Sequence, residues 1–253
     1  MIKLKYKQIG NIILLSKYST ITKEDTEILE DLMNKYHVKT IAKVKSINGQ
    51  MREPKIEILR GDEKTETIHK ENGCYFKLDI SKVMWSKGNN NERLRIAKLV
   101  KKNEVVTDMF AGIGYFTIPI AVHSKVKRIN AIEINPNSYK FLKENIKLNK
   151  IDENIINPIL GDCKIEAPKF QADRIIMGYV RTTHHYLKEA ITGLKQGGII
   201  HYHETVPENL METRPINTVK KAAGEREVEL LNLQKVKNYS PGVWHVVVDA
   251  KIN

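Results

Sequence analysis

Residues 104 to 119 read Glu-Val-Val-Thr-Asp-Met-Phe-Ala-Gly-Ile-Gly-Tyr-Phe-Thr-Ile-Pro. An apolar strand, Val105 to Asp108, gives way here to a glycine turn and then to a helical pattern from Tyr115. Gly112 and Gly114 let backbone approach a ligand closely and take torsions closed to other residues, which is why nucleotide-binding α/β folds place glycines at this turn. Glu133 ends the next apolar run, Ile129 to Glu133, at the spacing of about 20 residues that suits a carboxylate gripping a ribose diol. A bare G-x-G can simply turn the chain. Strand, turn, helix, strand and acid in this order point to an adenosine-type cofactor.

The charges around the turn narrow the choice. A dinucleotide brings a pyrophosphate and wants a third glycine, but that position is Thr117. Asp108, just before the turn, repels phosphate and favours a cation. S-adenosylmethionine, with adenosine, a sulfonium, an amino-acid tail and no phosphate, fits better than a nicotinamide dinucleotide.

Downstream of the turn, strand and helix patterns alternate: a helix from Ser138 to Leu148, strands at Ile155 to Leu160 and Asp173 to Met177, and a helix through Lys188 to Leu194 ending at Gly197-Gly198. A strand at Ile199 to Glu204 follows, and then two runs, Glu227 to Lys237 and Trp244 to Lys251, read as an antiparallel pair completing the sheet. The alternation predicts an α/β domain over residues 86–253: a Rossmann-like, doubly wound, mainly parallel seven-stranded sheet. Residues 1–85 read as a small α+β domain. Its helix starts at Thr22-Lys23-Glu24-Asp25 with Ile28, Leu29, Leu32 and Met33 at helical spacing, and its strands lie at Lys39 to Ile47, Lys55 to Arg60 and Cys74 to Ile80. Gly61 to Lys64 is a turn, and Trp85 to Arg93 is a linker running into a helix from Arg93 to Val100.

The composition, 41% hydrophobic and 28% charged in 253 residues, is that of a soluble globular protein. No apolar run has the roughly 20 residues of a membrane span. The opening Met-Ile-Lys-Leu-Lys-Tyr-Lys lacks a signal-peptide core, so the expected location is cytoplasmic, with a monomer as default. Cys74 and Cys163 are too few and too far apart for a zinc site, and no metal is expected. A net charge of +12 favours a polyanionic partner, nucleic acid above all. Basic residues exceed acidic ones on both sides of residue 90, so charge singles out no binding face.

Ligands of such sheets bind beyond the carboxyl ends of the strands, which here carry Asp108, Glu133, Asp162, Met177-Gly178 and His203-Glu204. Asp162 suits an adenine amino group, or is an ordinary loop acid. Arg93 could take the methionine carboxylate in a two-pronged bond with a hydroxyl from Ser86, or be a surface helix arginine. His184-His185 and His201-Tyr202-His203 lack acids or cysteines at ligand spacing and read as structural histidines.

Glu92-Arg-Leu-Arg-Ile96, Asp108 to Pro119, Glu133-Ile-Asn-Pro136, Asn145 to Asn149 and Pro241-Gly-Val-Trp-His-Val-Val-Val-Asp249 together resemble a family of archaeal and eukaryotic class I enzymes. These use S-adenosylmethionine to modify the guanosine 3′ of the anticodon in tRNA, and the resemblance covers about residues 75 to 253. The family has two branches, a guanine-N1 methyltransferase and a wybutosine-synthesising aminocarboxypropyltransferase. The methyltransferases typically carry proline after the second glycine and an Asn-Leu-Pro type motif after the fourth strand. Tyr115 and Met177-Gly178-Tyr179-Val180 stand there instead, and Gly198 to Thr205 also matches the second branch.

The resemblance therefore implies transfer of the 3-amino-3-carboxypropyl group to a 4-demethylwyosine-type base in tRNA(Phe), with tRNA as partner and release of methylthioadenosine. It implies Ser86, Arg93, Glu133, Asp162 and Cys163 as cofactor contacts, with Ile134 and the loop residues Asp108, Phe110, Gly112 and Gly114. Tyr115, Met177 and Gly178 are positioning candidates, and no residue reads as a general base. The alternatives are the guanine-N1 methyltransferase and a non-catalytic RNA-binding protein that keeps the pocket; a nicotinamide-dependent dehydrogenase is disfavoured by Asp108 and Thr117.

Overall fold

A computed structural model gives the structure of residues 6–49 and 51–253; Met1 to Lys5, most of the opening stretch read as lacking a leader core, and Gln50 lie outside the described residues. The chain divides into two compact units, one ending at Lys87 and one running from Gly88 to Asn253.

In the first unit β1 (Tyr6–Ile9), β2 (Ile12–Leu15), β3 (Thr40–Asn48) and β4 (Glu53–Gly61) form a sheet in that order, β2 and β3 being parallel and joined through α1 (Thr26–Tyr36). β5 (Glu66–Glu71) and β6 (Cys74–Asp79) make a separate antiparallel pair, of which the sequence pattern predicts only the second strand. α1 begins four residues after its expected start. Thr22 does not cap it: its amide and hydroxyl donate to Asp25 Oδ2 at 2.8 and 3.2 Å, which shapes the turn in front of the helix. Leu29 faces the core, with Leu32, Met33 and Tyr36 beside it. That stripe leaves Ile28 38% exposed, off the apolar face to which its spacing assigns it.

The second unit contains α2 (Asn90–Leu99), β7 (Val105–Asp108), α3 (Thr117–His123), β8 (Arg128–Glu133), α4 (Pro136–Leu148), β9 (Ile156–Leu160), α5 (Cys163–Glu166) and β10 (Ala172–Met177). It continues with α6 (Leu187–Thr192), β11 (Leu194–Pro207), α7 (Arg214–Ala223), β12 (Val228–Ser240) and β13 (Val243–Ile252). The seven strands lie in the order β12-β13-β11-β10-β7-β8-β9; β13 runs antiparallel to both its neighbours and every other pairing is parallel. The order reverses beside β7, where open α/β sheets bind their ligands.

Two expectations fail here for local reasons. The helix predicted to run into Gly197-Gly198 stops at Gly193, whose amide bonds back to Glu189 O, and Leu194 to Gly198 already belong to β11. Gly197, at φ +74°, sits where the β10 partner jumps from Ala172↔Leu194 to Arg174↔Ile199, so the glycine pair makes a bulge and not a helix end. α7 is absent from the expected elements, although Pro215 in its first turn, Val219 and Ala223 at four-residue spacing, and Gly224 at φ +64° mark it.

The sheet is lopsided along its strands. β10 ends at Met177, paired with Tyr202, whereas β11 continues five residues to Pro207, still paired with Val243 of β13. At about 3.3 Å per residue the β11–β13–β12 arm rises roughly 17 Å beyond the carboxyl end of β10. The outer strand β12 slips register against β13 at three places, between Leu230 and Asn232, Lys235 and Lys237, and Asn238 and Ser240.

A buried ionic chain ties α2 to this sheet. Arg95 donates to Glu92 at 2.6 and 2.8 Å and to Asp249 at 2.5 and 3.1 Å. Asp249 Oδ1 lies 2.6 Å from His201 Nδ1, and His201 Nε2 lies 2.6 Å from Arg174 Nη1. Since a guanidinium can only donate, this arrangement assigns a neutral imidazole with its proton on Nδ1. Burial lowers the His201 pKa in the same sense. For Asp249 burial works upward, but the hydrogen bonds from His201 and Arg95 outweigh it and hold the carboxyl below the usual range.

Candidate active site

The carboxyl ends of β7, β8, β9 and β10 are laced together by backbone bonds. Met109 N donates to Ile176 O at 3.0 Å, Ala111 N to Ile132 O at 2.9 Å, and Gly161 N to Glu133 O at 3.0 Å. The loop after β7 therefore has its course fixed by two neighbouring strands. Gly112 and Gly114 stand at φ +58° and +100°, a region costly for a residue with a Cβ, and a Cβ on Gly112 would lie 2.4 Å from the Tyr115 ring. From behind, Asn145 of α4, fully buried, donates Nδ2–H to Ile113 O at 2.9 Å.

Glu133 accepts the Gly112 amide on Oε2 and the Asn135 amide on Oε1, both at 2.7 Å. The acid expected to hold a ribose is thus also the brace of the glycine turn. Each carboxylate oxygen keeps a second lone pair for a hydroxyl. Burial raises its pKa against those two amide bonds.

Asp108 has no exposed surface; its Oδ2 accepts Thr117 Oγ1–H at 2.8 Å and its Oδ1 the Phe110 amide at 3.3 Å. Burial pushes its pKa up to about 6, so it is charged at neutral pH but at a cost. Thr117, visible in the sequence only as a missing glycine, is the hydroxyl that holds this carboxylate. Asp162 caps α5 through Oδ1, which accepts Lys164 N at 2.9 Å, and Oδ2 has no partner among the described residues. Cys163 beside it is 6% exposed, and burial pushes its thiol up to about 12, which leaves it a neutral, unreactive group. Ile134 is 38% exposed at the rim.

Arg93, in the middle of α2, is only 2% exposed, and its guanidinium lies over the Tyr115 ring, 5.0 Å from the centroid. Arginine, tyrosine and Gly112 therefore form a stack at the mouth of the turn. Ser86 belongs to the first unit, half-buried in the loop after β6. Beyond β10, a Cβ on Gly178 would meet the Phe116 ring at 2.6 Å, and Met177 is fully buried. Tyr179 stacks on Phe110 at 5.2 Å and an interplanar angle of 21°, with Tyr186 edge-on to the same ring. His203 lies beneath Phe116, with Nδ1 3.0 Å from His245 Nε2; burial lowers both pKa values, that of His245 to about 3. Among the described residues no group of three or more His, Cys, Asp and Glu could hold a metal ion. Sequence reasoning misses Phe116 and sees Thr117 only as a departure from a glycine pattern, although both lie inside the motif quoted above.

The model of the TRM5/TYW2 methyltransferase domain matches residues 67–231, and that of the TYW2 N-terminal domain matches residues 1–65. The chain belongs to the TRM5/TYW2 family. Within that family it is 49% identical to the tRNA(Phe) (4-demethylwyosine(37)-C(7)) aminocarboxypropyltransferase of Methanocaldococcus jannaschii, over 98% of either chain. The crystal structure of M. jannaschii TYW2 in complex with AdoMet superimposes with a TM-score of 0.78 at 44% identity, covering 98% of this chain and 99% of that one. Pyrococcus horikoshii TYW2 in complex with MeSAdo gives 0.85 at 41%, covering 98% and 90%. The seven-stranded sheet with a small preceding unit is thus the TRM5/TYW2 architecture. No helix among the described residues is long and apolar enough to cross a membrane.

Proposed function

We propose that the chain is a cytoplasmic tRNA-modifying transferase that moves the 3-amino-3-carboxypropyl group of S-adenosylmethionine onto C7 of a 4-demethylwyosine-type base 3′ of the anticodon in tRNA(Phe). The observation that carries this reading is the stack of Arg93 on Tyr115 over Gly112, together with the absence of a side chain at position 178. A buried cation beside the glycine turn suits a methionine carboxylate. Within the segment where the methyltransferase branch carries its Asn-Leu-Pro type motif, Gly178 has no side chain, and Phe116 already fills the space that a Cβ there would need.

The residues fit the donor. Bound there, S-adenosylmethionine supplies an electrophilic carbon on a sulfonium. Glu133 offers its remaining lone pairs to the ribose hydroxyls, and Asp162 Oδ2 is open to the adenine amino group. The buried negative charge of Asp108 behind the turn favours a cationic ligand over a phosphate. Arg93 and Tyr115 hold the tail so that its sulfur-bound methylene, and not the methyl, faces the RNA. The new C–C bond joins that carbon to C7, the S–C bond breaks, and the C7 proton leaves to solvent. The flat Phe110–Tyr179 pair gives the tricyclic base an aromatic wall. The first unit, rich in lysine, contributes to holding the tRNA.

Incubation with precursor tRNA and S-adenosylmethionine, followed by mass spectrometry of nucleoside and by-product, tests the reading. Methylthioadenosine with an aminocarboxypropyl adduct is expected. S-adenosylhomocysteine with a mass gain of one methyl would assign the chain to the methyltransferase branch instead.

A further inference from the structure

The second unit has seven arginines, and four of them, Arg95, Arg174, Arg214 and Arg226, spend their guanidinium nitrogens on carboxylates and carbonyls of the unit itself. Arg93 is buried and Arg128 opens β8 at the opposite, amino edge of the sheet. Arg181 differs from all of these. It is exposed, four residues past the end of β10, and its Nε donates to Tyr239 Oη at 2.7 Å, with the guanidinium 5.7 Å from the Tyr239 ring centroid. Its Nη1 and Nη2 have no partner among the described residues.

The backbone of Arg181 adds a second sign. Its φ is +81°, the largest among the described non-glycine residues at positive φ, in a region costly for a side chain whose occupants gather at turns and ligand clamps. Tyr239 stands near the tip of the β12–β13 arm that overhangs the carboxyl end of β10. The bond between the two therefore runs from the loop after β10 to the arm, on the side of the sheet that carries the glycine turn. With Nε anchored, the free edge of the guanidinium is a preset two-pronged fork, the shape that matches two oxygens of one phosphate.

We propose that Arg181, held by Tyr239, is a phosphate-binding positioning residue that grips the RNA backbone beside the nucleotide brought to the carboxyl ends of β7 and β10. The inference rests on the reading above that RNA is the substrate. It adds a site for the strand, distinct from the residues that take the cofactor.

The test is fluorescence anisotropy of labelled tRNA(Phe) titrated with the full chain over a range of salt, beside calorimetry with S-adenosylmethionine. Arg181→Ala is expected to raise the tRNA Kd about tenfold near 0.1 M salt and to flatten the log Kd against log salt slope by about 0.7 to 0.9, one phosphate's worth. Cofactor affinity stays at the wild-type value. Tyr239→Phe keeps the charge and loses the anchor, so Kd rises a few-fold with the slope unchanged; Arg181→Lys does likewise. Wild-type Kd and slope in Arg181→Ala overturn the clamp, as does weakened cofactor binding with tRNA affinity intact, which would place the fork on the methionine carboxylate. Should the alanine variant fail to fold, unchanged Kd in both Tyr239→Phe and Arg181→Lys overturns it equally. A wild-type chain that does not bind tRNA at all overturns the functional reading together with the clamp, whereas equal binding by wild type and Arg181→Ala overturns the clamp alone.

Discussion

The guanidinium of Arg93 lies 5.0 Å from the centroid of the Tyr115 ring, and that ring in turn covers Gly112. A desolvated cation–π contact of this kind contributes on the order of 2 kcal/mol. Tyr115→Phe keeps the ring and is expected to leave S-adenosylmethionine affinity within about twofold. Tyr115→Leu removes the ring but keeps the amide that donates to Ala111 O, and should weaken binding by roughly 10-fold to 30-fold, the equivalent of that contact. Isothermal calorimetry on both variants decides it; equal affinities would mean that the stack does not place Arg93.

Glu133 joins the backbone amides of Gly112 and Asn135, one on each carboxylate oxygen. Glu133→Gln turns one acceptor into a donor that faces an N–H. The cost should be about 1 to 3 kcal/mol of stability, appearing even without cofactor. Urea denaturation of the ligand-free protein measures it. A loss of cofactor affinity with unchanged stability would separate the ribose role from the bracing role and remove the second.

Asp108 has a folded pKa of about 6 against an ordinary 3.8. The raised value means that the folded state binds the proton more tightly, so this carboxyl favours folding at low pH and the benefit is lost as pH rises from about 4 to 6. Such a rise corresponds to roughly 3 kcal/mol. Relative to wild type, Asp108→Asn should therefore gain stability on that order between pH 4 and pH 7, while binding the cationic cofactor less well. Denaturation curves at the two pH values give the difference; a gap that does not widen with pH would show that burial leaves this carboxyl at its ordinary value.

Gly178 abuts the Phe116 ring, 2.6 Å from where a Cβ would stand. Gly178→Ala should cost about 1 to 3 kcal/mol by overpacking, and Phe116→Leu in the same chain should return part of it. Gly178→Asn alone should lose aminocarboxypropyl transfer without acquiring methyl transfer. Detection of S-adenosylhomocysteine from that variant would show that one asparagine is enough to redirect the donor.

Much of this site is legible in the sequence because it lies on elements with strong periodicity. The limits of β7 follow from the apolar run at Val105, and the spacing from the glycines places Glu133. What escapes is the use each group makes of its neighbours. Thr117 counts as a departure from a glycine pattern because hydroxyl-to-carboxylate bonding across nine residues leaves no periodic trace. Gly197-Gly198 looks like a helix stop because a bulge and a cap ask for the same torsions. Tyr239 and Arg181 are 58 residues apart and meet only through the sheet order, which local pattern does not encode.

The irregular outer strand makes a poor template for edge pairing. A straight edge of thirteen residues with Leu230 and Leu231 exposed would be a template for strand addition by another copy. The three slips of β12 break its outer hydrogen-bonding row into short pieces, and Lys235 and Lys237 place charge along it. On the other flank of the arm, Arg214 takes the Thr205 carbonyl at 2.6 Å and Pro207 has no amide to offer. The arm that rises past the carboxyl end of β10 thus presents edges poorly suited to strand addition, long as they are.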